Sequence, residues 1–160
     1  MTMADIDDLV DTASHPDIAK YMFDSFPNPF TESDAANYIH LSRWNTPPKV
    51  LGIFHCGKCV GCIMITIDTD MLRKNAELGF WLNKKDWGKG IMKKAIVEMI
   101  QHVFSNFPDV VRIYANCIDE NRKSIEVMRA AGMKMEYCIP ANIVKGDRIY
   151  SQVVYGIRRN

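Results

Sequence analysis

Two glycines in a lysine-rich segment, Gly88 and Gly90, form the part of this sequence best suited to bind an anion. They follow an apolar, strand-like run at residues 76–82 and precede a long amphipathic pattern typical of a helix. Glycine lets the backbone turn tightly and exposes N–H groups, and the first turn of the helix adds unpaired N–H donors. Residues 84–94 also contain five lysines and one acid, Asp86. We therefore predict a phosphate-binding loop at the start of this helix.

The glycine spacing separates this loop from two common nucleotide-binding motifs. A P-loop needs Gly-x-x-x-x-Gly-Lys-Ser/Thr, and a dinucleotide-binding turn needs Gly-x-Gly-x-x-Gly. Met92 and Lys93 stand where the third glycine of the second motif would fall. The sequence Lys-Asp-Trp-Gly-Lys-Gly at residues 85–90 instead resembles the Gln/Arg-x-x-Gly-x-Gly/Ala signature of the GNAT superfamily of acyl-CoA-dependent N-acyltransferases, with Lys85 replacing Gln or Arg.

A longer region, residues 76–133, extends this resemblance to the RimJ/RimL-type branch, the relatives of ribosomal-protein-alanine acetyltransferases. It contains, in order, a Glu-x-Gly-Phe-Trp-Leu strand, a Trp-Gly-Lys-Gly-Ile turn, an Asn-x-x-Ser helix start and an Ala-x-Gly-Met end. The resemblance implies the α+β GNAT fold, a mixed and mostly antiparallel sheet flanked by helices. Members normally begin with a strand, but only four residues precede the first helical pattern here, so we expect that strand to be missing.

The order of patterns along the chain agrees with this fold class. We predict helices at residues 5–11, 16–24, 33–44, 88–104 and 121–131, a β-hairpin at residues 50–67, and strands at residues 75–82, 110–118, 133–139 and 149–158. Met92, Ile96, Met99 and Val103 recur on one helix face and are predicted to be core. With the first strand missing, the strand near Val50 becomes a sheet edge that must be covered, charged or paired, for example in a homodimer.

Composition limits the remaining classes of protein. The 160 residues, 48% hydrophobic and 24% charged, are enough for one well-packed core, so we predict a single domain over residues 1–160. A net charge of +1 argues against a nucleic-acid-binding face. The acidic N-terminal segment resembles no export signal, and no apolar run approaches the roughly twenty residues of a membrane span. We therefore expect a cytoplasmic protein with no membrane or nucleic-acid partner.

The cysteines Cys56, Cys59 and Cys62 follow His55 and allow a metal-binding interpretation. A structural zinc site needs four ligands, commonly two such pairs, and the other cysteines, Cys117 and Cys138, are single and distant. The alternative is a β-hairpin in which cysteines serve as small, reduced strand residues. We favour the hairpin and predict no metal.

The resemblance implies acetyl-CoA as co-substrate, with its pantetheine arm in a gap beside the 75–82 strand, where Gly79 suits a bulge. Lys84, Arg122 or Lys123 could reach the ribose phosphate. Asn121 also fits a simple helix cap, and the two roles can coexist. The implied cofactor-binding residues are Leu82, Lys85, Asp86, Trp87, Gly88, Lys89, Gly90, Ile91, Met92, Asn121 and Ser124.

Glu77 is the candidate catalytic residue. A protonated acceptor amine must lose a proton before it can attack the thioester, and a carboxylate in a partly dry cleft can accept that proton. Strand alternation places Glu77, Gly79 and Trp81 on one face, and it places Leu78, Phe80 and Leu82 on the other. A solvated strand glutamate is the competing interpretation.

The acceptor and the general acid stay open. Relatives often supply a tyrosine seven residues after the asparagine, but Met128 occupies that position, which leaves Ser124, a water, Tyr114, Tyr137 or no acid at all. We expect acetyl transfer to a primary amine, either a small molecule or a peptide N-terminus, by direct attack in a ternary complex. The alternative from another class is a non-catalytic CoA-binding module.

Overall fold

A computed structural model describes residues 1–159, and the contacts within it divide the chain into two compact units. Unit 1 comprises residues 1–65 and 79–91, and unit 2 comprises residues 66–78 and the chain from residue 92 onward. The boundaries fall within single strands and at the start of a helix, so the chain passes between the units more than once. The single domain expected over residues 1–160 stays a prediction.

The helices match the sequence patterns closely where a cap defines their start. The Thr31 hydroxyl accepts a hydrogen bond from the Asp34 N–H, and the Asp34 carboxylate accepts one from the Thr31 N–H in return. This reciprocal cap begins the third helix one residue before the predicted position. The second helix ends at Ala19, well short of the predicted residue 24. The α-helices are α1 (Ile6–Ala13), α2 (Pro16–Ala19), α3 (Glu32–Trp44), α4 (Ile91–Asn106) and α5 (Arg122–Ala130).

Six strands follow one another in the sheet order β1-β2-β3-β4-β6-β5. β3 and β4 are parallel, whereas the β1–β2, β4–β6 and β5–β6 pairs are antiparallel. The predicted mixed, mostly antiparallel sheet flanked by helices is confirmed. The strands are β1 (Val50–His55), β2 (Lys58–Ile67), β3 (Asn75–Leu82), β4 (Arg112–Ile118), β5 (Lys134–Lys145) and β6 (Arg148–Arg158).

β1 is the first strand in residues 1–159, and it lies at one edge of the sheet, as predicted. A single 3-10 turn, Met3–Asp5, precedes α1. Within the same described range, none of the helices combines the length and apolar character needed to cross a membrane.

Aromatic packing forms the centre of unit 1. The Trp81 ring lies 5.4 Å from Phe26, 6.3 Å from Phe30 and 4.9 Å from Tyr38, centroid to centroid, and three of these four residues are buried. The predicted separation of a charged and an apolar face of β3 is therefore wrong beyond Gly79, because Trp81 and Leu82 are both buried. Aromatic edge and tilted contacts of this kind add to the free energy gained by area burial.

The core of unit 2 contains the predicted face of α4. Met92, Ile96, Met99 and Val103 are all buried, which confirms the helical periodicity. Ile113 and Ala115 of β4 are buried as well, and so is Val154 of β6. The unit thus buries one face of its longest helix together with the central strands.

β5 lies at the other edge of the sheet and is longer than predicted. It continues past Pro140 to Lys145, with a register shift between Ile139 and Ile143 and a positive φ of 52° at Ala141. Its exposed apolar side chains include Met135, Ile139 and Val144. Pairing with β6 resumes beyond the shift, and this explains why the strand outlasts the proline that ended the predicted one.

Arg159, which follows β6, contacts the end of α4 and the segment after it. Its guanidinium donates hydrogen bonds to the carbonyl oxygens of Phe104, Phe107 and Val110 at 2.5 to 3.1 Å and lies 4.9 Å from the Phe104 ring centroid. Carbonyl groups at the C-terminal end of a helix lack partners within the helix and attract cations. One side chain thus bonds a carbonyl in the last turn of α4, that of Phe104, and two carbonyls in the segment that follows the helix.

We expect Arg159→Ala to lower the free energy of unfolding by about 2–3 kcal/mol, because charged hydrogen bonds are lost and carbonyl acceptors lose their partner. Urea denaturation of the intact chain measures the change. Arg148, whose exposed guanidinium bonds Glu120 at 2.8 Å, provides the control. Arg148→Ala should cost less than about 1 kcal/mol, as is usual for a surface ion pair. Equal losses in both variants would contradict this role of Arg159.

Candidate active site

The glycine loop has the backbone geometry that the sequence predicted. Gly88 and Gly90 have φ angles of 76° and 77°, and no atom lies within 4 Å of the position that a Cβ would take at either residue. The Asn83 side chain caps a 3-10 turn, Lys84–Asp86, by accepting a hydrogen bond from Lys85 N–H at 3.1 Å. α4 begins immediately after the second glycine. The loop therefore leaves open space beside a backbone that only glycine adopts readily.

Trp87 links this loop to the end of β3 and to the core of unit 1. Its indole N–H donates to the Leu82 carbonyl at 2.8 Å, and its ring packs against the apolar core of the unit. Two predicted cofactor residues are thus joined by a direct hydrogen bond. The bond closes the segment between the end of β3 and the first glycine.

The lysines of the loop carry less free charge than their number indicates. Lys84 pairs with Asp17 at 2.6 Å, Lys85 with Asp11 at 3.8 Å, and Lys89 with Asp86 at 2.7 Å. Sequence reasoning compared these lysines only with acids of the same segment. It therefore missed Asp11 and Asp17, which belong to the N-terminal helices. The backbone N–H groups at the start of α4 add to the positive potential at this site.

Asp86 connects the loop to the β1–β2 hairpin. Its carboxylate accepts hydrogen bonds from Lys89 Nζ at 2.7 Å and His55 Nδ1 at 3.2 Å. The Lys89 hydrogen bond is the main cause that lowers the pKa of Asp86, with the His55 contact acting in the same direction. Sequence reasoning considered His55 only beside the cysteines. No local signal could have linked two residues that far apart in the chain.

Glu77 lies at the last paired position between β3 and β4. It stands opposite Tyr114 in the parallel register, and Asn116 Nδ2 donates to Glu77 Oε1 at 2.5 Å. Burial raises the pKa of Glu77, the Asn116 hydrogen bond opposes that shift, and the nearby Asp68 carboxylate adds to it. A raised pKa suits a proton acceptor better than the usual value does. The partner Asn116 was not predicted from the sequence.

The candidate general acids have other surroundings. The Tyr114 hydroxyl donates to Asp68 Oδ1 at 3.2 Å. Burial is the main cause that raises the pKa of Tyr114 to about 12. Tyr137 is exposed, and Met128 is buried in the core. The general acid therefore stays unassigned.

Asn121 caps α5, as one of the two sequence interpretations proposed. Its Oδ1 accepts a hydrogen bond from Ser124 N–H at 3.3 Å. Unit 2 contains these two residues together with Glu77 and Met92, whereas unit 1 contains Leu82 and residues 85–91. The cofactor roles of both groups stay predictions.

The cysteine segment forms the predicted hairpin. Cys59 and Cys62 are buried on β2, Cys56 is exposed in the turn, and all five cysteines of the chain are free thiols. Burial is the main cause that raises the pKa of Cys59 to about 11, which disfavours the thiolate form that binds metals. Within residues 1–159, no group of three or more His, Cys, Asp or Glu side chains could hold a metal ion.

Comparison with known proteins gives one family match and two relatives. The model of the acetyltransferase (GNAT) domain matches residues 1–134. A ribosomal-protein-serine acetyltransferase of Escherichia coli is 29% identical over 91 residues, which are 57% of this chain and 50% of that protein. The uncharacterized N-acetyltransferase YnaD of Bacillus subtilis is 26% identical over 129 residues, or 80% of this chain and 74% of that protein. The match to the first relative thus spans half of its length.

Solved structures share the fold along nearly the whole chain. A GNAT-family acetyltransferase from Bacillus anthracis has a TM-score of 0.81 at 24% identity, covering 99% of this chain and 91% of that one. RimL, a ribosomal L7/L12 alpha-N-protein acetyltransferase in complex with coenzyme A, has a TM-score of 0.80 at 16% identity, covering 99% and 90%. The microcin C7 self immunity acetyltransferase MccE, in complex with acetyl-CoA and AMP, scores 0.75 at 23% identity, covering 99% and 89%. These likenesses confirm the predicted fold.

We expect Asp86→Asn to lower the free energy of unfolding at pH 7, because the variant loses the charged acceptor that Lys89 and His55 share. The pKa of Asp86 is lowered in the folded protein, so its stabilisation is present above the unfolded-state pKa of about 3.9 and is lost as pH falls. The difference between parent and variant should therefore shrink below about pH 4. Urea denaturation at a series of pH values measures it.

Asp17→Asn is the matched control, because Asp17 also bonds a loop lysine but has a side chain 41% exposed, against 10% for Asp86. Solvent screens an exposed pair, so this variant should lose less stability at pH 7. A loss for Asp86→Asn that stayed constant down to pH 3 would refute the electrostatic explanation.

Proposed function

The chain belongs to the acetyltransferase (GNAT) family, and on that premise we propose that it transfers the acetyl group of acetyl-CoA to a primary amine by direct attack in a ternary complex. The observation that carries this proposal is the Glu77 carboxyl, half-buried, fixed by Asn116 and raised in pKa, on the strand that leads into the glycine loop. A protein that only binds coenzyme A has no need of such a carboxylate.

The loop fits the diphosphate of coenzyme A. The open space at the Cβ positions of Gly88 and Gly90 admits a ligand close to the backbone. The N–H groups of residues 88–92 would hold its oxygens, because those of residues 85–87 are already hydrogen-bonded within the preceding 3-10 turn. Asn121 and Ser124, at the start of α5, would bond the pantetheine arm, with Leu82 beside it. Lys84, Arg122 or Lys123 would reach the ribose phosphate, although Lys84 would then have to leave Asp17.

Acetyl-CoA, when bound, supplies the electrophilic thioester carbonyl. Glu77 takes a proton from the acceptor ammonium, directly or through a water, so that the nitrogen lone pair becomes free. The nitrogen forms a bond to the acyl carbon while the carbon–sulfur bond breaks, and the electron pair leaves with the thiolate. The nitrogen then loses its second proton to that thiolate or to solvent, which leaves a neutral amide. A coenzyme A thiolate is a good leaving group, so the proposal needs no assigned general acid.

Two classes of acceptor fit the proposal, a protein N-terminus and a small primary amine. The E. coli relative is named for a serine of a ribosomal protein, and this supports the first class. A screen with purified protein, acetyl-CoA, N-terminal peptides, amino acids, polyamines and aminoglycosides tests the proposal through thiol release. Coenzyme A binding without turnover on any acceptor would favour the non-catalytic binding module.

The proposed setting is the cytoplasm, because the free cysteines suit a reducing compartment. We also propose a homodimer, since β1 and β5 are both edge strands. Sedimentation equilibrium over a range of concentrations measures the mass, and a monomer throughout would exclude this part of the proposal.

We expect Gly90→Val to abolish acetyl-CoA binding in a folded protein. A β-branched residue resists a φ of 77°, and its side chain would enter the space proposed for the diphosphate. Isothermal titration calorimetry measures the affinity.

Gly57→Val is the matched control for Gly90→Val. Gly57 has a φ of 78° and open space at its Cβ position, but it lies in the β1–β2 turn. Its replacement imposes the same backbone strain and should leave the affinity unchanged. Undiminished affinity for acetyl-CoA in folded Gly90→Val would disprove the proposed diphosphate site.

We expect Glu77→Gln to reduce kcat by about a hundredfold to ten-thousandfold at pH 7, with little change in acetyl-CoA affinity. The amide keeps the shape of the side chain but cannot accept the proton. The deficit should shrink as pH rises toward the pKa of the acceptor amine, about 8 to about 10, because neutral amine becomes plentiful. Steady-state rates from pH 6 to 10 measure it.

Glu98→Gln, which removes an exposed carboxylate paired with Lys94 on α4, should leave these rates unchanged. Near-normal turnover of Glu77→Gln at pH 7 would show that Glu77 is only a strand residue at the protein surface.

A further inference from the structure

Asn116 of β4 contacts the carboxylate of the proposed base directly, and no motif of the sequence assigned it a role. We propose that Asn116 is a positioning residue that holds Glu77 in one orientation whether the carboxyl is charged or protonated. The proposal deepens the function proposed above and rests on it.

The backbone of β4 places Asn116 accurately. β4 pairs with β6 along its whole length, and Asn116 stands opposite Val154 in that register. Side chains alternate along a strand, so Arg112, Tyr114 and Asn116 share one face, while Ile113 and Ala115 are buried on the other. Since Tyr114 is the register partner of Glu77, Asn116 lies one side-chain step further along the same face, and its Nδ2 reaches Glu77 Oε1.

The amide of Asn116 can serve both protonation states of the base. Its Nδ2 donates to the charged carboxylate, as the structure shows, while its Oδ1 is buried and has no hydrogen-bond partner among the described residues. A buried acceptor without a partner costs free energy, which favours an arrangement that satisfies it. When Glu77 holds a proton, a half-turn of the amide presents Oδ1 to the new O–H donor, since an asparagine amide both donates and accepts.

The other polar groups near Glu77 do not duplicate this contact. Asp68, from the β2–β3 connection, carries a like charge, and Tyr114 donates its hydroxyl to Asp68. Arg112 lies over the Tyr114 ring at 4.3 Å and directs its guanidinium to Glu136 and Asn75. Asn116 favours the charged form of Glu77, and Asp68 disfavours it. The two neighbours thus act on the base in opposite directions.

The test follows the Glu77 carboxyl by carbon-13 NMR during pH titration of the whole, ligand-free protein, with Glu77→Gln to assign the signal. Asn116→Leu removes donor and acceptor at similar volume, so the pKa of Glu77 should rise, because the bond to the charged carboxylate is the stronger of the two. Asn116→Asp replaces the donor by a second carboxylate and should raise it further, as a coupled pair. Asp68→Asn removes a like charge and should lower it, which makes this variant a control of opposite sign.

The pH dependence of kcat/KM should show the same shifts in the pKa of Glu77. The acid limb of the kcat/KM profile should move to higher pH in Asn116→Leu and to lower pH in Asp68→Asn, with the KM for acetyl-CoA unchanged. Loss of orientation should also reduce kcat on the plateau above that limb by about tenfold to a hundredfold in Asn116→Leu. A residue with only a structural role would change stability without moving the limb.

The outcomes separate this proposal from the proposed function. If Glu77→Gln loses turnover while folded Asn116→Leu keeps the parent's titration and acid limb, the role of Asn116 is overturned and Glu77 remains the base. If Glu77→Gln keeps the parent's turnover, the base assignment fails, and the role of Asn116 fails with it. Asn116→Ser supplies the same measurements if the leucine variant does not fold.

Discussion

Regular pairing between β3 and β4 lasts for only three residues of each strand, from Asn75 to Glu77 and from Arg112 to Tyr114. The first half of β3 thus belongs to a continuous ladder in unit 2, and its second half, from Gly79, belongs to unit 1. A parallel strand that loses its partner must satisfy its backbone groups in another way. Glu77 stands at this limit, on a backbone still fixed by the ladder. In the proposed function, the arm of coenzyme A would pair with the strand that continues beyond it.

The glycine loop combines backbone N–H donors with lysines that already have carboxylate partners. The N-terminal helices supply carboxylates to two loop lysines, and Asp86 occupies a third. These pairs involve three of the five lysines in residues 84–94. An anion there would meet N–H groups at a helix start, which need no rearrangement of side chains.

Local rules predicted the parts of the structure that depend on local physics. The tight turn at Gly88 and Gly90, the β1–β2 hairpin and the buried face of α4 all follow from residue type and short spacing. These features can be found in any sequence with the same signals. The boundaries of α4 and α5 moved by only a few residues at each end.

Contacts between distant residues could not be predicted in this way. The pairs His55–Asp86 and Glu77–Asn116 join residues 31 and 39 apart, and their formation depends on strand register. Strict alternation also failed at Trp81, because the aromatic residues around Phe26 and Phe30 cover the second half of β3. A sequence pattern states which face a residue takes in an ideal strand, but the covering segment decides whether that face is buried.

The kink in β5 has a consequence for how the folded protein behaves at high concentration. A long, flat, apolar edge strand is a template for fibril growth, and β5 exposes Met135, Ile139 and Val144 along such an edge. Pro140 lacks an N–H donor, and the positive φ at Ala141 bends the strand where its register shifts. Lys134 and Lys145 add charge at its two ends. An incoming chain therefore finds only two short stretches to extend, and stacking of copies along this edge is interrupted before a regular cross-β ladder can form.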